Sequence, residues 1–243
     1  MKIAIMAPLV TAIREPQRGG SQAFVSDLAR GLAGRGHDVH VYAASGSEIP
    51  GVDVIDTGVD PRSLAGALYR ASGPSAGEPG EAEPAAAAAE AAFTAAYMIM
   101  RATRYDVIHN HAFDAPAVRL ATALQAPVVH TLHLPPDETV SAALCHVTRR
   151  SRPPAVAAVS DFQASAWRRV VPVDAILPPY PPTGAIPWSG TAGQGALFAG
   201  RLSPEKGTAE AIDIARAAGV PIDVYGDVYD PEYSREQIDP RRS

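Results

Sequence analysis

A single cysteine, Cys145, stands among 243 residues, so no internal disulfide is available. Cations are also in short supply. Twenty-one Lys and Arg against 26 Asp and Glu leave a net charge of −5, which argues against a nucleic-acid partner, whose phosphates need clustered basic side chains. No run approaches the roughly 20 apolar residues that span a bilayer. The apolar start, residues 1–8, is short, interrupted at Pro8 and without a small-residue cleavage site, so it reads as a buried first strand rather than a secretion signal. The expectation is a cytoplasmic protein without an integral membrane segment. Also missing after that strand is the glycine pattern G-x-G-x-x-G, which argues against a nicotinamide or flavin oxidoreductase.

What is present is ordinary for a globular chain of one large domain or two small ones, with 47% hydrophobic and 19% charged residues. Apolar strands alternate with helical segments. Residues 2–7 predict a strand, 21–34 a helix with Gly36 behind it and Ser21 available as a cap, and 38–43 a second strand, together a β-α-β unit with a parallel sheet. A third strand is expected over 52–55. Residues 70–84, rich in Gly, Pro, Ala and Glu, predict a loop or insertion, followed by a helix over 85–100 whose Phe93, Tyr97 and Met100 form a core stripe. Further strands are expected over 106–109, 127–132 and 156–160, with helices over 115–124 and 161–169. The alternation predicts one Rossmann-like, doubly wound α/β domain over residues 1–175. A proline-rich connection at 178–182 leads into a second, incomplete α/β unit over 176–243. That unit holds a buried strand at 196–199, a helix over 208–218 with Ala211, Ile214, Ala215 and Ala218 on its inner face, a strand at 222–225 and then a polar tail.

Three features carry chemistry. Gly200-Arg201-Leu202-Ser203-Pro204-Glu205-Lys206-Gly207 sets two cations between a strand and a helix. A helix N-terminus already favours an anion through its free N–H groups and dipole, while Arg201 adds a planar fork and Lys206 a mobile point charge. That combination suits a diphosphate. Gly19-Gly20, directly before the first helix, lets backbone and ligand approach closely. His109 and His111 end one strand and His130 and His133 surround the end of the next, where parallel sheets bind their ligands. Without a third-ligand spacing the histidines read as hydrogen-bonding groups, not a metal site, with His109 and His130 framing the sheet.

These pieces resemble the family-four glycosyltransferases of the GT-B architecture, in which two Rossmann-like domains face one another across a cleft. The resemblance rests on the Gly19-Gly20 loop, on Tyr105-Asp106-Val107-Ile108-His109-Asn110-His111, on Thr131-Leu132-His133 and Val159-Ser160-Asp161, and above all on Gly200-Arg201 with Lys206-Gly207. It implies transfer of a sugar, of the hexosyl type, from a nucleoside-diphosphate sugar, with UDP-sugar the donor by analogy, to an acceptor with retention of configuration. It further implies that Arg201, Lys206 and Gly207 hold the leaving diphosphate, that Gly19 and Gly20 approach it, that His111 touches the sugar near its anomeric centre, and that no metal or other cofactor is required. His133, Phe113 and Asp114 are then candidate acceptor or sugar contacts. The acceptor itself is open: the Phe93, Tyr97, Met98 face and the Phe113-Asp114 loop suit a pterin, a polyketide or a sugar equally.

The chain departs from that family's pattern twice. Ala175-Ile176-Leu177-Pro178-Pro179-Tyr180 replaces the usual Asn-Gly-Val-Asp-like turn into the second domain. The family's pair of glutamates seven residues apart has no counterpart among Glu205, Glu210, Glu232 and Glu236, and the second unit reads as shortened. Two alternatives therefore stay open, a non-catalytic binding subunit of the same ancestry and a nucleotide-sugar epimerase or hydrolase on the same fold. The small second unit also raises a homodimer as an expectation.

Overall fold

The computed structural model describes residues 1–17, 19–68, 82–179, 190, 193–228 and 230–242. Residues 70–81 of the expected loop at 70–84, and 180–182 of the proline-rich connection, lie outside the described residues, while 82–84 are helical rather than loop, being the first turn of the helix Ala82–Arg101. The chain divides into two compact units, Met1–Pro182 and Thr183–Ser243. That division falls seven residues beyond the expected one, because Ala175–Ile176 still pairs with the strand at Ala155–Ala158 and so belongs to the first sheet.

The first unit is built on β1 (Lys2–Met6), β2 (Asp38–Ala43), β3 (Asp53–Asp56), β4 (Val107–Asn110), β5 (Val128–Leu132), β6 (Ala155–Ala158) and β7 (Ala175–Ile176). They form a parallel sheet in the order β3-β2-β1-β4-β5-β6-β7. Side chains alternate across it, as the two-residue period of a strand requires. From β1, Ile3 and Ile5 pack with Val25 and Ala29 of α1 (Gly20–Ala33) on one face. Ala4 and Met6 turn to the other face, where Phe93, Tyr97 and Met100 of α3 (Ala82–Arg101) meet Ala117 of α4 (Ala115–Leu120) and Leu64 of α2 (Pro61–Leu68). The core stripe of α3 is as expected, but it removes Phe93 and Tyr97 from any acceptor face: both are buried, while Met98 points outward and is 67% exposed. A third cluster gathers Leu132, Val156 and Trp167 around α5 (Glu138–Val147) and α6 (Asp161–Trp167).

The second unit pairs β8 (Ala196–Ala199) with β9 (Ile222–Tyr225) in parallel, joined by α7 (Thr208–Ala217). Two expectations are overturned here. β8 is not a buried strand, since Leu197 is 68% exposed, and the inner face of α7 is Thr208, Ala209, Ile212 and Ala215, with Ile214 outside. The stretch expected as a polar tail is helical. It begins at α8 (Pro231–Tyr233), continues as a wider turn over Ser234–Ile238 and ends in a 3₁₀ turn at Asp239–Arg241. Ile238 of that segment buries itself against Ala209 and Ile212, which explains why those positions, rather than Ile214, face inward.

Candidate functional site

In the first unit the strand order reverses between β1 and β4, and ligands of open parallel sheets bind outside the carboxyl ends of the strands at such a reversal. His111 sits at that point. Its N–H donates to the Met6 carbonyl at 2.8 Å, extending the β4-to-β1 ladder by one residue. Its ring lies fully buried between His109, 4.1 Å away by centroid, and Phe24 of α1 at 5.4 Å. His111 Nδ1 is 3.0 Å from Nε2 of His133, whose ring packs edge-on against Phe24. The structure thus brings His111 and His133 together from the ends of adjacent strands.

One proton lies between those two nitrogens. When His133 donates it, His111 Nε2 carries its own hydrogen. That Nε2 is buried and makes no hydrogen bond among the described residues. Burial, with His109 and His133 as further contributors, holds His111 well below the ordinary 6.5, and burial takes His133 down to about 4. His111 is therefore a neutral hydrogen-bonding group at physiological pH. His109 stands 2.7 Å from the Thr131 hydroxyl through Nε2, and burial lowers it to about 4. On the opposite face of the sheet, Asn110 Nδ2 approaches His130 Nδ1 at 2.8 Å. Asn110 also closes the turn after β4, donating to the Ala112 carbonyl and accepting from the Ala112 N–H, both at 3.2 Å. His130 keeps one unpartnered nitrogen, so it is only half satisfied.

Asp114 follows on the same loop, at the start of α4, and its side chain makes no capping bond. It is buried, one carboxyl oxygen has no partner, and burial with nearby Asp137 pushes it from 3.8 to about 7. Phe113, beside it, is half-buried. Gly19 caps α1 with extended backbone and no side-chain bond, while Ser21 spends its hydroxyl on Gln22 Oε1 at 3.1 Å instead of capping the helix. A Cβ on Gly20 would meet nothing within 4 Å among the described residues, so the protein's own packing does not demand glycine there.

The second unit places its cations as the sequence predicts. A 3₁₀ turn over Pro204–Lys206 follows Ser203, and Gly207 then takes φ +68°, a left-handed conformation that favours glycine, before α7 begins. Arg201 is half-buried, with Nη2 3.4 Å from Glu205 Oε1, and Lys206 is exposed. Two hydroxyls that the sequence reading passed over, on Ser203 and Thr208, are buried at the same helix start without a hydrogen-bond partner among the described residues. Their signal was one hydroxyl residue on each side of the Pro204–Gly207 turn. Next to them, Tyr233 accepts the Ala209 N–H at 3.0 Å.

The first unit is thus a Rossmann-like α/β domain with neutral histidines at its switch point, and the second carries a separate strand-turn-helix bearing two cations. The chain belongs to Glycosyltransferase Family 4, whose model matches residues 18–178. No curated protein matches it in sequence. Among solved structures it is similar to AviGT4, a glycosyltransferase involved in avilamycin A biosynthesis, at 22% identity and a TM-score of 0.56, with 97% of this chain and 60% of that one covered. Similar too is the catalytic domain of starch synthase IV from Arabidopsis thaliana, bound to ADP and acarbose, at 14% identity and a TM-score of 0.56 over 96% of this chain and 70% of that one. UGT2 of Phytolacca americana, complexed with UDP-2-fluoro-glucose and pterostilbene, aligns at 14% identity and a TM-score of 0.50, covering 98% and 70%. These likenesses establish a GT-B glycosyltransferase fold. The chain spans 60% of the length of AviGT4. Among the described residues no helix is long and apolar enough to cross a membrane.

Proposed function

We propose that this protein transfers a sugar from a nucleoside-diphosphate sugar, UDP-sugar in the simplest reading, to a small-molecule or sugar acceptor with retention of configuration. The observation that carries the proposal is the turn between β8 and α7. Arg201, Lys206, the left-handed Gly207 and two unpartnered hydroxyls converge on the start of a ten-residue helix, an arrangement that matches the charge and the acceptor oxygens of a diphosphate.

In this reading the bond from the anomeric carbon to the diphosphate oxygen breaks, and its electron pair leaves with the nucleoside diphosphate. Charge therefore grows on the leaving group. Prearranged cations and N–H donors stabilise it, which is the largest contribution such a site can make, and they take the place a divalent metal would otherwise fill. The acceptor hydroxyl forms the new glycosidic bond, and its proton leaves with the departing phosphate. His111, neutral and with a buried unpartnered Nε2, hydrogen-bonds the transferred sugar, and His133 fixes its ring. Gly19 and Gly20 offer the N–H groups of the α1 start to an anionic oxygen. Phe113 and Asp114 border the acceptor.

Calorimetric titration with UDP tests the core of this reading. The parent chain is expected to bind saturably, and the Arg201→Ala, Lys206→Ala double variant, with its circular dichroism unchanged, to lose affinity roughly tenfold or more. Equal affinity in parent and variant would remove the diphosphate role.

A further inference from the structure

The opposite end of the first sheet carries a second polar constellation that the transfer reaction does not use. Asp38 and His40 are two residues apart on β2 and so share a face, and Asp53 of β3 is the ladder partner of His40. Their ligand atoms, one from each side chain, all lie within 4.8 Å of one another. His40 Nε2 is 3.1 Å from Asp38 Oδ1 and 4.0 Å from Asp53 Oδ2. The other ring nitrogen is held from behind: Nδ1 lies 2.8 Å from the Tyr105 hydroxyl, which lies 2.8 Å from that of buried Tyr42. Metal-binding imidazoles are oriented in this way, with the far nitrogen fixed so that the near one faces the ion.

We propose that Asp38, His40 and Asp53 form a site for a divalent transition-metal ion of the zinc or cobalt type, at the amino ends of β2 and β3. One imidazole nitrogen and two carboxylate oxygens are a donor set that such ions accept. His40 is largely buried and fixed, while Asp53 is 79% exposed on its side chain and free to swing onto an ion that water delivers from the open edge. Lys2 shapes the site from one side. Its Nζ is 3.4 Å from Asp38 Oδ2 and 5.9 Å from the Tyr105 ring centroid, so it neutralises the Asp38 oxygen turned away from His40 and opposes the incoming charge. Asp106 does not compete for the ion, because its Oδ2 accepts the Lys2 backbone N–H at 2.7 Å. The strands run away from this edge toward His111, so an ion here would tie β2 to β3 and stabilise the unit without touching a sugar donor.

The test is titration of the metal-stripped full chain with Co²⁺, read by visible absorption, and with Zn²⁺, read by calorimetry and by thermal unfolding. One saturable site is expected, with a metal-dependent rise in melting temperature as mass action requires. His40→Ala and Asp53→Asn should each weaken it roughly ten- to hundredfold, and Lys2→Ala should tighten it. The exposed position of Asp53 keeps that variant folded if His40→Ala is not. Absence of saturable binding, or binding that Asp53→Asn leaves unchanged, overturns the proposal and leaves His40 as a polar neighbour of Asp38 alone.

Discussion

His111 and His130 are sealed from solvent inside the first unit, whereas Arg201 of the second is half-buried and Lys206 exposed. The first unit has three apolar clusters packed against a seven-stranded sheet, on both of its faces. The second has one small cluster, and its two strands present Leu197 and Tyr225 to solvent, at 68% and 64% exposure. The proposed recognition divides accordingly. Neutral imidazoles held by packing can orient a sugar hydroxyl regardless of salt, because no net charge is screened. Cations at a helix start attract a diphosphate from a distance and weaken as ionic strength rises. Most of the apolar core resides in the first unit, and the two cations of the proposed diphosphate site reside in the second.

Acid is the strongest way to break this contrast. Burial holds His109 and His133 at about 4 and His130 at about 3, below the ordinary 6.5. Between those values the unfolded chain binds more protons than the folded one, so stability falls as pH drops below about 6.5 and the loss is complete below the folded values. Each of these histidines contributes about 3 kcal/mol or more. Urea titrations at pH 7.5, 6 and 5 are expected to show the first unit losing stability steeply, and a pH-independent midpoint would contradict the buried neutral cluster.

Core truncation sharpens the contrast next. Phe93→Ala, at a position with no exposure, should cost about 3–5 kcal/mol, while Leu197→Ala in the second unit should stay within about 0.5 kcal/mol. Comparable losses at the two positions, read from chemical denaturation, would show that the second unit hides its strands in solution. An effect of opposite pH sense lies at Asp114. Its carboxyl is raised from 3.8 to about 7, so the folded state binds the proton more tightly and the residue destabilises the protein progressively as pH rises from 4 to 7. Asp114→Asn should therefore stabilise by about 4 kcal/mol at pH 8 and by almost nothing at pH 4. A stabilisation equal at both pH values would place the effect in packing rather than in charge.

Much of the fold was legible. β1, β2, β8 and β9 fall within a residue of the expected ranges, because alternating and continuous apolar runs bounded by Gly, Pro and Asp are local signals. Three helices went unread although their signals were present. α2, α5 and α8 each follow an aspartate, Asp60, Asp137 and Asp230, whose carboxylate accepts backbone N–H groups of the first turn, and Pro61 and Pro231 stand at the first helical position. In α5, Val140, Ala143, Leu144 and Val147 even keep the spacing of one helix face. Other losses had no local signal. Nothing in the run from Thr208 onward says that Ile238, more than 20 residues later, will cover Ile212 and leave Ile214 outside.

By itself the sequence determined the alternation of strands and helices, the placement of Arg201, Lys206 and Gly207 on a turn before a helix, and the presence of histidines at two strand ends. Each depends on periodicity, propensity or capping within a few residues. Only the tertiary structure decided that His133 would support His111, that Tyr105 would aim His40 at two aspartates, and that Phe93 and Tyr97 would serve the core rather than an acceptor. Those outcomes rest on strand order, register and crossover. They join residues 22 to 65 positions apart, and no local pattern encodes which partner burial will bring.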